Sequence, residues 1–184
     1  MAKRPTTRIL LEGALCVASA LALSYFEIPL GIKFGGFNGK LNFVMVPLII
    51  YAMRTNVGWG FLAGYIYGII KYFVTYGTDI TWVSLIFDYS LAYGMVGLAG
   101  LFHKSFKLIS LAAFIGCLGR FAVHYFATVT VYARYVPAEF MGIKNPPLSV
   151  YSLLYNGTRM LPITIFTVGL FAILVAMPDI LKEQ

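Results

Sequence analysis

Five polar or ionisable residues, Asp88, Arg120, His124, Asn156 and Arg159, lie inside long apolar segments of an otherwise lipid-soluble sequence. A charge at bilayer depth costs about 2.5–3.5 kcal/mol on insertion scales, so such residues face a bundle interior and meet a ligand, an ion or one another. Asp88 stands in the stretch Leu85-Ile86-Phe87-Asp88-Tyr89. Two readings are open for it: an internal salt bridge with Arg120 or Arg159, or a carboxylate on a cavity wall that holds a cationic or amine-bearing ligand. Arg120 and His124 are four apart and share a helix face that continues to Thr128 and Tyr132. Tyr151, Tyr155 and Arg159 make a second row at the same spacing, with Asn156 beside them. An amide that both donates and accepts suits the edge of a heterocycle.

The elements that must position these residues follow from composition. The 184 residues are 60% hydrophobic and 11% charged, against about 25% charged in soluble domains. An all-α integral membrane protein is expected, a single domain of six transmembrane helices in one compact bundle. The apolar segments run at 9–26, 41–53, 57–76, 81–102, 108–132 and 148–177. The second is short for a crossing of about 20 residues. It contains Pro47 and follows a Gly-rich stretch, so a count of five spans is the alternative. Ala18-Ser19-Ala20 has the form of a signal-peptide cleavage site, but the apolar run continues to Phe26 and reads as retained.

The net charge of +7 is scattered over segment ends, which reads as a topology signal rather than a nucleic-acid surface. With six spans, Lys3, Arg4, Arg8, Arg54, Lys104, Lys107 and Lys182 fall on one side, and Lys33, Lys40, Arg134 and Lys144 on the other. The larger set marks the cytoplasm, so both termini are expected there. The outer connections, 27–40 and 133–147, are the longer ones and could close over a site. Glu12, one turn from Arg8, is expected to pair with it, and Lys71 to snorkel towards the outer interface. Tyr72, Tyr76 and Trp82 read as interfacial belt residues. Cys16 and Cys117 each fall within an apolar segment, where a free thiol behaves as a small hydrophobe.

Small residues recur every fourth position at Ala14, Ala18 and Ala22 and at Gly60, Gly64 and Gly68. Such rows let helix backbones approach closely, either within the chain or against a partner protein. No Cys/His metal cluster, phosphate-binding Gly-rich loop or catalytic triad is legible, so no cofactor is expected. A membrane enzyme with Asp88 and His124 as acid and base would need a further reacting group that the sequence does not offer. A stand-alone transporter and a purely structural subunit are the other rivals.

Three stretches carry a family resemblance: Phe87-Asp88-Tyr89-Ser90-Leu91-Ala92-Tyr93-Gly94, Arg120-Phe121-Ala122-Val123-His124 and Tyr151-Ser152-Leu153-Leu154-Tyr155-Asn156-Gly157. Over nearly its whole length the chain resembles the substrate-binding S components of energy-coupling factor (ECF) vitamin transporters, most closely the thiamine-specific ones. The resemblance implies a non-enzymatic subunit of a bacterial cell membrane importer that binds thiamine and joins a transmembrane subunit and two ATPase subunits. It implies Asp88, Tyr89, His124, Tyr132, Tyr151 and Asn156 as substrate-binding residues, with Ala14, Ala18 and Ala22 docking the shared transmembrane subunit. The usual acidic residue of that family is Glu where this chain has Asp88, and its stacking Trp corresponds to Tyr132. These departures keep a thiamine precursor or another amine-bearing heterocycle open as the ligand.

Overall fold

A computed structural model describes residues 5–34, 37–76 and 82–176. All six apolar segments are helical. We label them α1 (Thr6–Leu23), α2 (Met45–Arg54), α3 (Val57–Tyr76), α4 (Trp82–Phe102), α5 (Phe106–Thr130) and α6 (Leu148–Ala176). All but α2 are long and apolar enough to cross a bilayer.

The second segment differs from the expected 41–53. Its helix begins at Met45 and has only ten residues, about 15 Å at 1.5 Å per residue, half of a hydrocarbon core about 30 Å thick. A short element at membrane depth survives when protein surrounds it. Here Met45, Leu48, Ile49, Tyr51, Ala52 and Met53 are all buried. The Tyr51 hydroxyl donates to the Ile9 carbonyl at 2.9 Å. Glu12 Oε1 pairs with Arg8 Nε at 3.0 Å, the expected contact, and its Oε2 lies 3.6 Å from Arg54 Nε. The end of α2 therefore sits beside the start of α1, which puts Arg8 and Arg54 on one side of the bundle. Lys3, Arg4 and Lys182 lie outside the described residues.

The two long connections hold short antiparallel hairpins that helical periodicity could not announce. β1 (Ile28–Phe34) pairs with β2 (Phe37–Leu41), and β3 (Glu139–Phe140) with β4 (Ile143–Lys144). Met141 and Gly142 turn the second hairpin at positive φ, 55° and 80°.

The glycine row is spent inside the chain. Gly60, Gly64 and Gly68 let α3 lie directly on α2 and α4. A Cβ on Gly60 would stand 2.6 Å from that of Ala52, and one on Gly64 or Gly68 would overlap the carbonyl of Tyr93 or Tyr89. Backbone atoms cannot yield as a flexible side chain can, so Gly64→Val is expected to cost about 1–3 kcal/mol, read as a lower melting temperature in detergent. Gly97 and Gly100 return the contact from α4. The alanine row does the reverse: α1 buries Cys16, Val17 and Ala20, while Ala14, Ala18 and Ala22 are exposed.

Helix α4 is irregular where it matters. It widens into π-helical turns over Leu85–Leu91 and tightens to 3-10 geometry over Met95–Phe102. The Ser90 hydroxyl donates to the Leu85 carbonyl five residues back at 2.7 Å, which fits the wider turn. π-helical turns inside a helix recur at functional sites, and this one carries Asp88 and Tyr89.

Candidate substrate-binding site

A cavity of about 1080 Å³ opens between α3, α4, α5 and α6, and all six residues expected from the sequence line it. One face of α5 supplies Cys117, Arg120, His124 and Thr128 to its wall, and Tyr132 follows just past the helix end.

Asp88 is tied to three side chains in it. Oδ2 accepts from the Tyr132 hydroxyl at 2.5 Å and from Ser84 Oγ at 3.0 Å. Oδ1 lies 3.4 Å from His124 Nδ1. Neither Arg120 nor Arg159 is its partner, so the internal salt bridge with an arginine is not what the chain builds. An ionised carboxylate offers about four lone-pair positions. Oδ2 is committed to the two hydroxyls, which leaves Oδ1, with its longer contact, as the side that can meet a ligand. The carboxylate thus stays fixed in place by α4 and α5 together.

Asn156 of α6 holds the part of the wall where α6 meets α5. Its amide nitrogen donates to Thr128 Oγ1 at 3.0 Å, to the Ser152 carbonyl at 3.1 Å and to Ser152 Oγ at 3.2 Å. Ser152 Oγ in turn donates to the Tyr125 carbonyl at 3.0 Å. With the nitrogen so held, the carbonyl oxygen is the end of Asn156 that can accept from a bound molecule. The network also fixes α6 against α5, since buried polar groups at membrane depth need partners.

Aromatic rings close the remaining sides. Tyr151 and Tyr155 stack at 5.4 Å with 13° between their planes, and Phe140 of β3 meets both edge-on at 4.9 and 6.2 Å. The second long connection therefore reaches the cavity. Tyr89 packs edge-to-face on Tyr72 at 5.2 Å. Tyr72 is buried on the cavity wall, not in the interfacial belt, whereas Trp82 is 67% exposed as a belt residue should be. Lys71 does not simply snorkel outwards: its ammonium stands 5.2 Å above the Tyr25 ring and its side chain lines the cavity.

Deeper in, the Arg120 guanidinium stacks 4.0 Å above the Tyr93 ring and contacts Met45 Sδ at 3.4 Å. Arg159 donates to the Tyr155 hydroxyl at 2.7 Å. Ser84, Phe140 and Tyr93 were missed from sequence. Ser84 precedes Asp88 by one turn, within reach of a spacing argument; Tyr93 stands in the stretch that carries the family resemblance, and Phe140 has no local signal.

Tyrosine-rich walls set with fixed polar and charged groups make a concave small-molecule site. Together with the spans, they make this a helical membrane protein that binds a polar, partly aromatic solute. The family described as thiamine transporter protein (Thia_YuaJ) matches residues 10–182, and the chain belongs to it. Among relatives, thiamine transporter ThiT of Bacillus subtilis is 26% identical over 95% of this chain and 94% of its own length. Thiamine transporter ThiT of Lacticaseibacillus paracasei is 28% identical over 92% of this chain and 87% of its own. The solved structure of ThiT from Listeria monocytogenes superposes with a TM-score of 0.74 at 22% identity, covering 95% of this chain and 97% of that one. The family's role is transport, not catalysis, and the membrane enzyme reading falls with it.

Proposed function

We propose that this chain is the S component of an ECF importer and captures thiamine in the cavity between α3, α4, α5 and α6. The observation that carries the reading is the Asp88 carboxylate, held on Oδ2 by Ser84 and Tyr132 and met on Oδ1 by the longer 3.4 Å contact of His124 Nδ1, in a chain of the thiamine transporter family. Thiamine joins a cationic thiazolium to an aminopyrimidine. The cation calls for a carboxylate and aromatic faces, and the aminopyrimidine edge calls for matched donors and acceptors. Asp88 meets the cation or the amino group. His124 and Tyr132 flank a ring, and Tyr89, Tyr151 and Asn156 fix the remaining edges.

The chain sits in the bacterial cell membrane with both termini cytoplasmic, and the cavity opens outwards beneath the 27–40 and 133–147 connections. Arg8 and Arg54, brought together around Glu12, support that orientation. ATP hydrolysis belongs to two separate ATPase subunits, joined through a transmembrane subunit that docks on the exposed Ala14, Ala18 and Ala22 face of α1.

Titration of the detergent-purified protein with thiamine, followed by intrinsic Trp and Tyr fluorescence, tests the ligand. Saturable quenching at nanomolar concentration is expected, and the ligand should be recovered unchanged. A response only to the aminopyrimidine precursor or to pyridoxine would correct the vitamin, and silence towards all of them would overturn the reading. At a hundredfold excess over Kd, thiamine should also add about 2.7 kcal/mol to folding stability, visible as a higher melting temperature.

A further inference from the structure

Tyr151, Tyr155 and Arg159 of α6 all line the cavity, and their spacing sets how each is held. Helical side chains lean towards the N-terminus, over the turn before their own. Arg159 leans on Tyr155: its Nη1 donates to the phenol oxygen at 2.7 Å, and its guanidinium carbon lies 5.1 Å from the ring centre. Tyr155 leans on Tyr151, the two rings stacked at 5.4 Å with 13° between their planes. Tyr151 has no full turn of α6 to lean on. It stands in the first turn of the helix, and the residue four before it is Pro147, already in the connection, whose carbonyl accepts from the Tyr151 amide at 2.9 Å.

The missing support comes from the 133–147 connection. Phe140 of β3 meets Tyr151 edge-on at 4.9 Å and Tyr155 at 6.2 Å, the arrangement that sets the positive edge of one ring against the negative face of another. Phe140 does not itself line the cavity; it reaches the site only through the two tyrosines. The hairpin that carries it is tightly tied. Phe140 pairs with Ile143 and Glu139 with Lys144. The turn runs through Met141 and Gly142 at positive φ, and the Asn145 amide donates to the Ala138 carbonyl at 2.7 Å. Phe140 is thereby fixed, and it closes the row of Tyr151, Tyr155 and Arg159 from the end where the helix cannot.

We propose that Phe140 is a positioning residue for substrate capture, with Arg159 as its counterpart at the other end of the row. Gripped between them, Tyr151 and Tyr155 hold one orientation before the ligand arrives. A side chain that must be immobilised on binding subtracts from affinity, and one already ordered does not. The inference rests on the thiamine reading above and deepens it: the 133–147 connection contributes to affinity through a residue that does not touch the vitamin.

The test measures Kd for thiamine in wild type, Phe140→Leu, Phe140→Tyr and Arg159→Lys, each with Tyr151 present and again in a Tyr151→Ala background. Phe140→Leu keeps apolar bulk and removes the ring; it should raise Kd roughly two- to tenfold, the effect of having to order one side chain on binding. Phe140→Tyr keeps the ring edge and should restore binding to the wild-type level. With Tyr151→Ala already in place, Phe140→Leu should change Kd by less than about twofold, because groups that act through one contact are not additive. Arg159→Lys keeps the charge and loses the planar fork that grips the Tyr155 hydroxyl. It should weaken binding in the same coupled way, and it serves if Phe140→Leu fails to fold. An unchanged Kd in Phe140→Leu, or an equal loss with and without Tyr151, overturns the positioning role while thiamine binding stands; the same outcomes in Arg159→Lys decide if the former does not fold. Absence of thiamine binding by wild type overturns the underlying reading instead.

Discussion

Asp88→Asn should weaken thiamine binding by roughly 30-fold to several thousandfold, the 2–5 kcal/mol lost when one side of a buried charge pair is removed. The substitution keeps the shape and leaves an oxygen for Ser84 and Tyr132, which now donate to Oδ2 at 3.0 and 2.5 Å. What disappears is the negative charge proposed to face the thiazolium. Asp88→Ala should bind no better and should also melt earlier, because it strands the hydroxyls of Ser84 and Tyr132 and the His124 ring together. Asp88→Glu separates charge from reach. One added methylene keeps the charge and extends its reach, and binding should return to within roughly tenfold of wild type if charge governs. Calorimetric or fluorescence titration of the three variants, with melting temperatures measured alongside, decides the matter. Retention of nanomolar binding by Asp88→Asn would remove the carboxylate from the site.

Ala18→Trp should leave thiamine binding intact and reduce uptake in cells about tenfold or more, the effect of spoiling an interface whose central contacts are each worth about 2 kcal/mol or more. The side chain of Ala18 is exposed, with Ala14 one turn before it and Ala22 one turn after, while the buried contacts of α1 are made by Cys16, Val17 and Ala20 on its other side. A large ring there faces away from the cavity and meets lipid in the isolated chain. Only a partner helix that needs close backbone approach would register the change. Uptake of labelled thiamine, with titration of the purified variant as the control, provides the check. Lost binding would mean that α1 supports the site itself, and full uptake would mean that docking uses another face.

The two small-residue rows show where sequence stops. Both have the same spacing and both permit close packing. Local composition contains nothing that sends Gly60, Gly64 and Gly68 against α2 and α4 while leaving Ala14, Ala18 and Ala22 outside. The choice is made by which helices become neighbours, a property of the whole chain. Lys71 and Tyr72 illustrate the same point: near a span end both resemble interfacial residues, and only the placement of α1 and α4 beside α3 turns them to the cavity.

What the sequence by itself determined is the membrane class, the apolar segments and the rows of polar residues on α5 and α6. Hydropathy and the 3.6-residue period are local, and a helix satisfies its whole backbone within its own segment, as lipid requires. That is why all six expected binding residues line a single cavity. What only the tertiary structure decided is the pairing. Asp88 chose His124, Tyr132 and Ser84 over either arginine, and Arg120 was left stacked on Tyr93 with a free donor. Those outcomes depend on the register between helices at a resolution of single ångströms, set by glycine contacts and π-helical turns that no periodicity encodes.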